Sequence, residues 1–222
     1  MKISRALPNQ TTRRILPLGA ALALAFAVSL PPAAHADPGG HLTPPDLPEK
    51  MQPDEGSRLF LVGHALGTQN YVCLPSGAGF KFVLFTPEAT LFEHHAKQVI
   101  THFFSPNPEE GGTIRATWQH SRDTSAFWGK AVASIDSTSN PELVAEGAIP
   151  WVLLAKAGVA EGPGGGDTLT KTTFVQRLNT AGGVAPATEC ASAADVGKQK
   201  FVPYEADYFF YSAPNADEDG GN

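Results

Sequence analysis

From Arg58 onward the apolar residues of this chain come in short runs rich in Val, Ile, Thr, Phe, Tyr and Trp, broken at close intervals by Gly, Pro, Asn and Asp. Such runs lack the helical period, so they commit the chain to strands. Polar and apolar side chains alternate in Phe80-Lys-Phe-Val-Leu-Phe85 and in Ile114-Arg-Ala-Thr-Trp118, as in a strand with one solvated face. Trp151-Val-Leu-Leu154 is apolar throughout and suits a strand covered on both faces. The pattern predicts nine strands, near 58–65, 69–74, 80–85, 98–103, 113–120, 127–135, 149–155, 171–178 and 201–211. No connection between them asks for a helix, and no internal repeat is visible. The expected fold is a single all-β domain, an antiparallel β-sandwich or barrel with Greek-key-like connections and little helix.

The flanks differ in composition. Residues 1–36 carry Lys2, Arg5, Arg13 and Arg14, an apolar stretch from Ile15 to Leu30, and Ala34-His35-Ala36. A basic head, an apolar middle shorter than a bilayer span and small residues before the cut make an export signal, with cleavage expected between Ala36 and Asp37. Thr12-Arg13-Arg14-Ile15-Leu16 resembles a twin-arginine motif, although Pro17-Leu18 departs from it. The expected location is secreted or periplasmic. Residues 37–56, with Pro38, Pro44, Pro45, Pro48 and Pro53, read as a Pro-rich flexible arm. Residues 212–222 read as an acidic disordered tail, leaving an all-β domain over 57–211.

The chain has 16 Lys plus Arg against 22 Asp plus Glu. Removal of the four basic residues of the leader leaves 12 against 22, a net charge of −10. Such a surface has no footprint for nucleic acid. No later segment is apolar enough to span a membrane, so no stable membrane insertion is expected. Two cysteines, Cys73 and Cys190, stand more than a hundred residues apart. In an oxidising compartment they are expected to pair, a closure worth up to about 4–5 kcal/mol in the chain-entropy model; the alternative is two buried free thiols.

Several motifs look like chemistry and fail on context. Gly77-Ala-Gly79 has Phe82 where a dinucleotide loop needs glycine, and reads as a hairpin turn. Gly162-Pro-Gly-Gly-Gly-Asp167 lacks the Gly-Lys of a phosphate loop and occurs once, so it reads as a flexible loop. Local hydrolase signatures are missing. Among His41, His64, His94, His95, His102 and His120, the last two sit in strand-like segments, with Asp123 just beyond. Two histidines and a carboxylate from neighbouring strands would make a facial metal triad, the basis of an alternative reading as a metal-assisted secreted hydrolase. A copper brace would need a histidine as first mature residue, and cleavage before Asp37 removes His35. No cofactor is expected.

Binding has a broader basis. Aromatic residues stand beside amide and charged groups, the combination that sugar-like or other amphipathic ligands use. The candidate ligand-binding residues are Gln69, Tyr71, His102, Trp118, Asp123, Trp128, Gln176, Arg177 and Asn179. Core packing is the competing role for each aromatic, and exposure of two tryptophans on one face would favour binding. Arg177 and Asp207 would equally serve as a structural ion pair.

Dispersed phrases in fixed order carry a resemblance: Gly67-Thr-Gln-Asn-Tyr-Val-Cys73, Phe85-Thr-Pro-Glu-Ala-Thr-Leu91, Thr101-His102 leading to Ala116-Thr-Trp118, Ile149-Pro-Trp-Val-Leu-Leu154, Gln176-Arg-Leu-Asn-Thr-Ala-Gly-Gly-Val-Ala-Pro186 with Cys190, and Tyr204-Glu-Ala-Asp-Tyr-Phe-Phe-Tyr211. From about Leu61 to Tyr211 the chain resembles a family of secreted bacterial and fungal proteins described as a domain of unknown function, of the DUF3455 type. The resemblance implies one exported domain with paired cysteines, and no reaction. Family members have a short Asp-Gly-Ser turn where this chain carries Ser121-Arg-Asp-Thr-Ser-Ala-Phe-Trp-Gly129. The expected function is therefore binding of a small molecule, a glycan or an envelope component, with the hydrolase and an extracellular interaction module as alternatives.

Overall fold

A computed structural model describes residues 43–93 and 96–214. The export signal, the Ala36/Asp37 cleavage point, His41, His94, His95 and the acidic tail from 215 lie outside the described residues. Eight strands follow one another: β1 (Arg58–Ser76), β2 (Gly79–Phe92), β3 (Gln98–Asn107), β4 (Thr113–His120), β5 (Ala126–Ile135), β6 (Trp151–Ala160), β7 (Thr172–Gly182) and β8 (Gln199–Ser212). Three short 3-10 turns are the helical elements among the described residues. Each strand pairs antiparallel with its sequence neighbour, and β8 closes on β1 to complete a barrel.

Two expectations are corrected in detail. The connections are sequential rather than Greek-key, because every loop, including the long one after β5, returns to the adjacent strand. Strands expected at 58–65 and 69–74 are one strand, β1, and this accounts for eight in place of nine. Gly67 between them marks no turn. A Cβ there would lie 2.6 Å from Ala89 Cα, so glycine is what lets β2 pass close to β1 without breaking it.

The interior cluster draws on all eight strands, with Ala65, Leu91, Ile100, Trp118, Phe127, Leu154, Val175 and Tyr208 among its members. A second apolar cluster lies on the outer face, where Trp151, Leu153, Leu178, Phe209 and Tyr211 pack with Met51 and Val144. Two covered faces explain why Trp151–Leu154 and Tyr208–Tyr211 are apolar without alternation. Of the segment read as a flexible arm, residues 43–56 are described. They turn through Glu49–Met51 and bury Met51 completely. Cys73 and Cys190 form a disulfide across 117 residues, tying β1 to the loop before β8. No helix among the described residues is long and apolar enough to cross a membrane.

Three seams of the barrel are short. The β4–β5 ladder has four residue pairs and ends at Ala116 and Gly129. The β2–β3 ladder has four residue pairs and ends at Ala89 and His102; the β6–β7 ladder also has four and ends at Val152 and Arg177. His102 and Arg177 thus each stand where a seam parts.

Candidate functional site

Residues from all eight strands line a partly open cavity of about 270 Å³, with Ile114, Lys130 and Ala131 exposed. Space exists there because Ala116, Gly129 and Ala131 present little or no side chain to the lumen. A Cβ on Gly129 would stand 3.0 Å from the Trp118 ring and 3.2 Å from Leu154, so glycine lets the indole lie against β5. Leu84, Phe104, Val152 and Leu154 give the wall its apolar character, while Gln69, His102, Trp118, Arg177 and Tyr208 supply polar groups.

His102 is wholly buried, its ring stacked on Trp118 with centroids 4.3 Å apart and planes 11° from parallel. Its Nδ1 lies 2.8 Å from the Thr117 carbonyl oxygen, which can only accept, so Nδ1 carries the proton and Nε2 is left as an acceptor. Burial lowers its pKa to about 3, against the Thr117 hydrogen bond and with help from the Arg177 charge. The ring is therefore neutral at any ordinary pH. Tyr204 and Tyr208 face each other with hydroxyls 3.2 Å apart, and burial raises the pKa of both.

Gln69 Nε2 and Trp118 Nε1 are buried without a hydrogen-bond partner of good geometry among the described residues, although the Gln69 side chain interacts with the Tyr204 hydroxyl. A buried donor left unpaired costs about 1–3 kcal/mol, and both atoms are closed off by the packing around them, as is Trp151 Nε1 in the outer cluster. Arg177 Nε and Nη2 donate to Pro150 O at 3.2 and 2.8 Å. Its charge reaches Tyr71, His102, Tyr204 and Tyr208. The wall holds three cationic residues, Arg115, Lys130 and Arg177, and no carboxylate among the described residues. Arg115 is held by Glu110 through two hydrogen bonds, of 2.7 and 2.6 Å.

Of the residues singled out from the sequence, Gln69, His102, Trp118 and Arg177 converge on this cavity. The other five lie elsewhere. Tyr71 sits in the cluster around the disulfide and donates to Gly183 O at 2.6 Å. Trp128 lies on the opposite face of β5 from Phe127 and donates to Ser105 Oγ at 2.9 Å. Gln176 faces outward, donating to Met51 O at 2.7 Å and accepting from Tyr211 Oη at 2.6 Å. Asn179, with φ of 50°, donates to Asp207 Oδ2 at 2.8 Å. Asp207 also meets His64 Nδ1 at 2.6 Å, so the anticipated ion pair with Arg177 is not made.

Asp123 is a fastening point of the β4–β5 loop. It accepts from Ser125 N and Oγ and from Thr168 N and Oγ1. Although burial raises its pKa, these hydrogen bonds hold the carboxyl well below the usual range. The glycine-rich run passes directly over Asp123, where a Cβ on Gly166 would fall 2.2 Å from the Asp123 Cβ, so the run serves as a close-packed cover. The triad of His102, His120 and Asp123 is not assembled. His120 Nδ1 lies 2.9 Å from Asp123 Oδ1, but His102 is engaged with Thr117 and Trp118. No group of three His, Cys, Asp or Glu among the described residues is placed to hold a metal ion.

Trp118, Trp128 and Trp151 are 1, 8 and 4% exposed, so no pair of tryptophans forms an open sugar platform. Tyr208 was absent from the candidates. The spacing Tyr204-Ala206-Tyr208-Phe210 places these residues on one face of β8, and that alternation was the available signal.

A family model described as "Protein of unknown function (DUF3455)" matches residues 53–212. No curated protein and no solved structure matches the chain.

Proposed function

Because the chain belongs to the DUF3455 family, whose description names no reaction, we propose its role from its geometry: the barrel binds a small amphipathic molecule in its lumen. The observation that carries this reading is the convergence of Gln69, His102, Arg177 and Tyr208 on the wall of a mostly apolar cavity. Apolar walls with a few convergent polar groups are what ligand pockets consist of, and eight-stranded barrels are wide enough to hold one small ligand. A volume of about 270 Å³ lies just under the ~300–1,000 Å³ of pockets for drug-sized molecules, so the ligand is smaller than those. So small a volume favours a small molecule over a glycan chain. The Cys73–Cys190 bond supports an oxidising compartment, so the ligand is met outside the cytoplasm, in the periplasm or beyond the cell.

The test is a thermal-shift screen of small amphipathic compounds against the native chain and Ala116→Leu, which extends a side chain into the cavity. A lumen ligand raises Tm in the native chain and not in the variant. Compounds that stabilise both equally, or none at all, contradict the proposal.

A further inference from the structure

The lumen departs from the charge balance of the chain around it. A protein with a formal net charge of −6 places three cations and no carboxylate on this one wall, among the described residues. Glu110 answers Arg115, and Lys130 lies exposed at the rim. Arg177 remains. Its Nε and Nη2 are engaged by the neutral carbonyl of Pro150, its side chain also hydrogen-bonds the neutral Tyr208 hydroxyl, and no carboxylate among the described residues pairs with it. The Nη1 group has two further N–H donors. The lumen therefore holds one positive charge that neutral acceptors alone answer among the described residues. Its acceptors are the Nε2 of His102 and the hydroxyls of Tyr204 and Tyr208, which already face each other.

From this charge without a carboxylate partner we infer that the lumen ligand is a small monoanion, a carboxylate on an apolar or aromatic body, with Arg177 as its counter-charge. The inference rests on the lumen-binding reading and gives it a ligand class. A carboxylate is an acceptor-only group with two oxygens, which suits a few convergent donors beside one cation. The apolar body then lies against Leu84, Phe104, Val152 and Leu154. A multiply charged head group would need more positive charge than Arg177 supplies.

The probes are 3-phenylpropanoate and 3-phenylpropan-1-ol, which share ring and chain and differ in the charged head. In calorimetric titration at pH 7 the carboxylate is expected to bind the native chain about ten-fold or more tightly than the alcohol. Arg177→Met is expected to bring the carboxylate down to the level of the alcohol. Equal affinities in the native chain, or a tighter alcohol, overturn the anion assignment and leave the lumen reading standing. Binding of neither probe at millimolar concentration defeats the lumen reading and this inference with it. The native chain alone decides, whether or not the variant folds.

Discussion

His102 shows how a single side chain ties burial to stability. Its pKa is lowered from 6.5 to about 3 because burial penalises the imidazolium. Above pH 6.5 the ring is neutral in the folded and unfolded chain alike. As pH falls below 6.5 the unfolded chain takes up a proton that the folded chain refuses, so the folded state loses stability until about pH 3. This site is expected to lower the unfolding free energy by up to ~1.4 kcal/mol per pH unit between about pH 6 and 4. Denaturant unfolding at pH 7, 6 and 5 measures the slope, which His102→Gln should flatten; an equal slope in that variant contradicts the account. The same scale shows where sequence reading reaches its limit. Gln176 and Arg177 are adjacent and equally polar, yet one anchors Met51 and the other lines the lumen. Both faces of β7 are covered, so polarity alone carries no information about which face is inside. Phe127 and Trp128 present the same ambiguity on β5.

Among the elements, strand identity was legible and strand extent was not. Alternation marked β2 and β4, and the unbroken apolar run of β6 anticipated its two packed faces. Gly67 misled because its role is close approach by a neighbouring strand, a property of the partner that the local sequence does not encode. Proline likewise said that residues 43–56 would form neither helix nor central strand, but not that Met51 would seat against Ile135, Trp151 and Phe209. The Gln176 amide fixes that seat through Met51 O. Met51→Ala is expected to cost about 2–5 kcal/mol in chemical denaturation, as for other large-to-small changes in a core. Ligand affinity should be unchanged, since Met51 belongs to the outer cluster and not to the lumen. A variant as stable as the native chain would mean that the segment contributes nothing to the fold.

For the whole molecule, the sequential order of the strands follows from loops that each return to the neighbouring strand, and closure of β8 on β1 leaves no free sheet edge. The disulfide joins the far end of the β1–β2 hairpin to the segment before β8, reinforcing the closure point. Antiparallel all-β character was legible from period-two runs, whereas barrel or sandwich depended on whether the last strand meets the first. That is a pairing across the length of the chain. The cavity was legible only in fragments, because a lumen is defined by small residues such as Ala116, Gly129 and Ala131 as much as by the polar groups around it. The central claim is that this lumen receives a ligand, and the indole N–H groups offer a direct measurement. Trp118 Nε1 in the lumen and Trp151 Nε1 in the outer cluster are both buried without a partner among the described residues. In nitrogen-15 spectra titrated with 3-phenylpropanoate, the Trp118 indole resonance is expected to shift saturably while that of Trp151 stays in place. No movement of Trp118, or equal movement of both, would contradict the account.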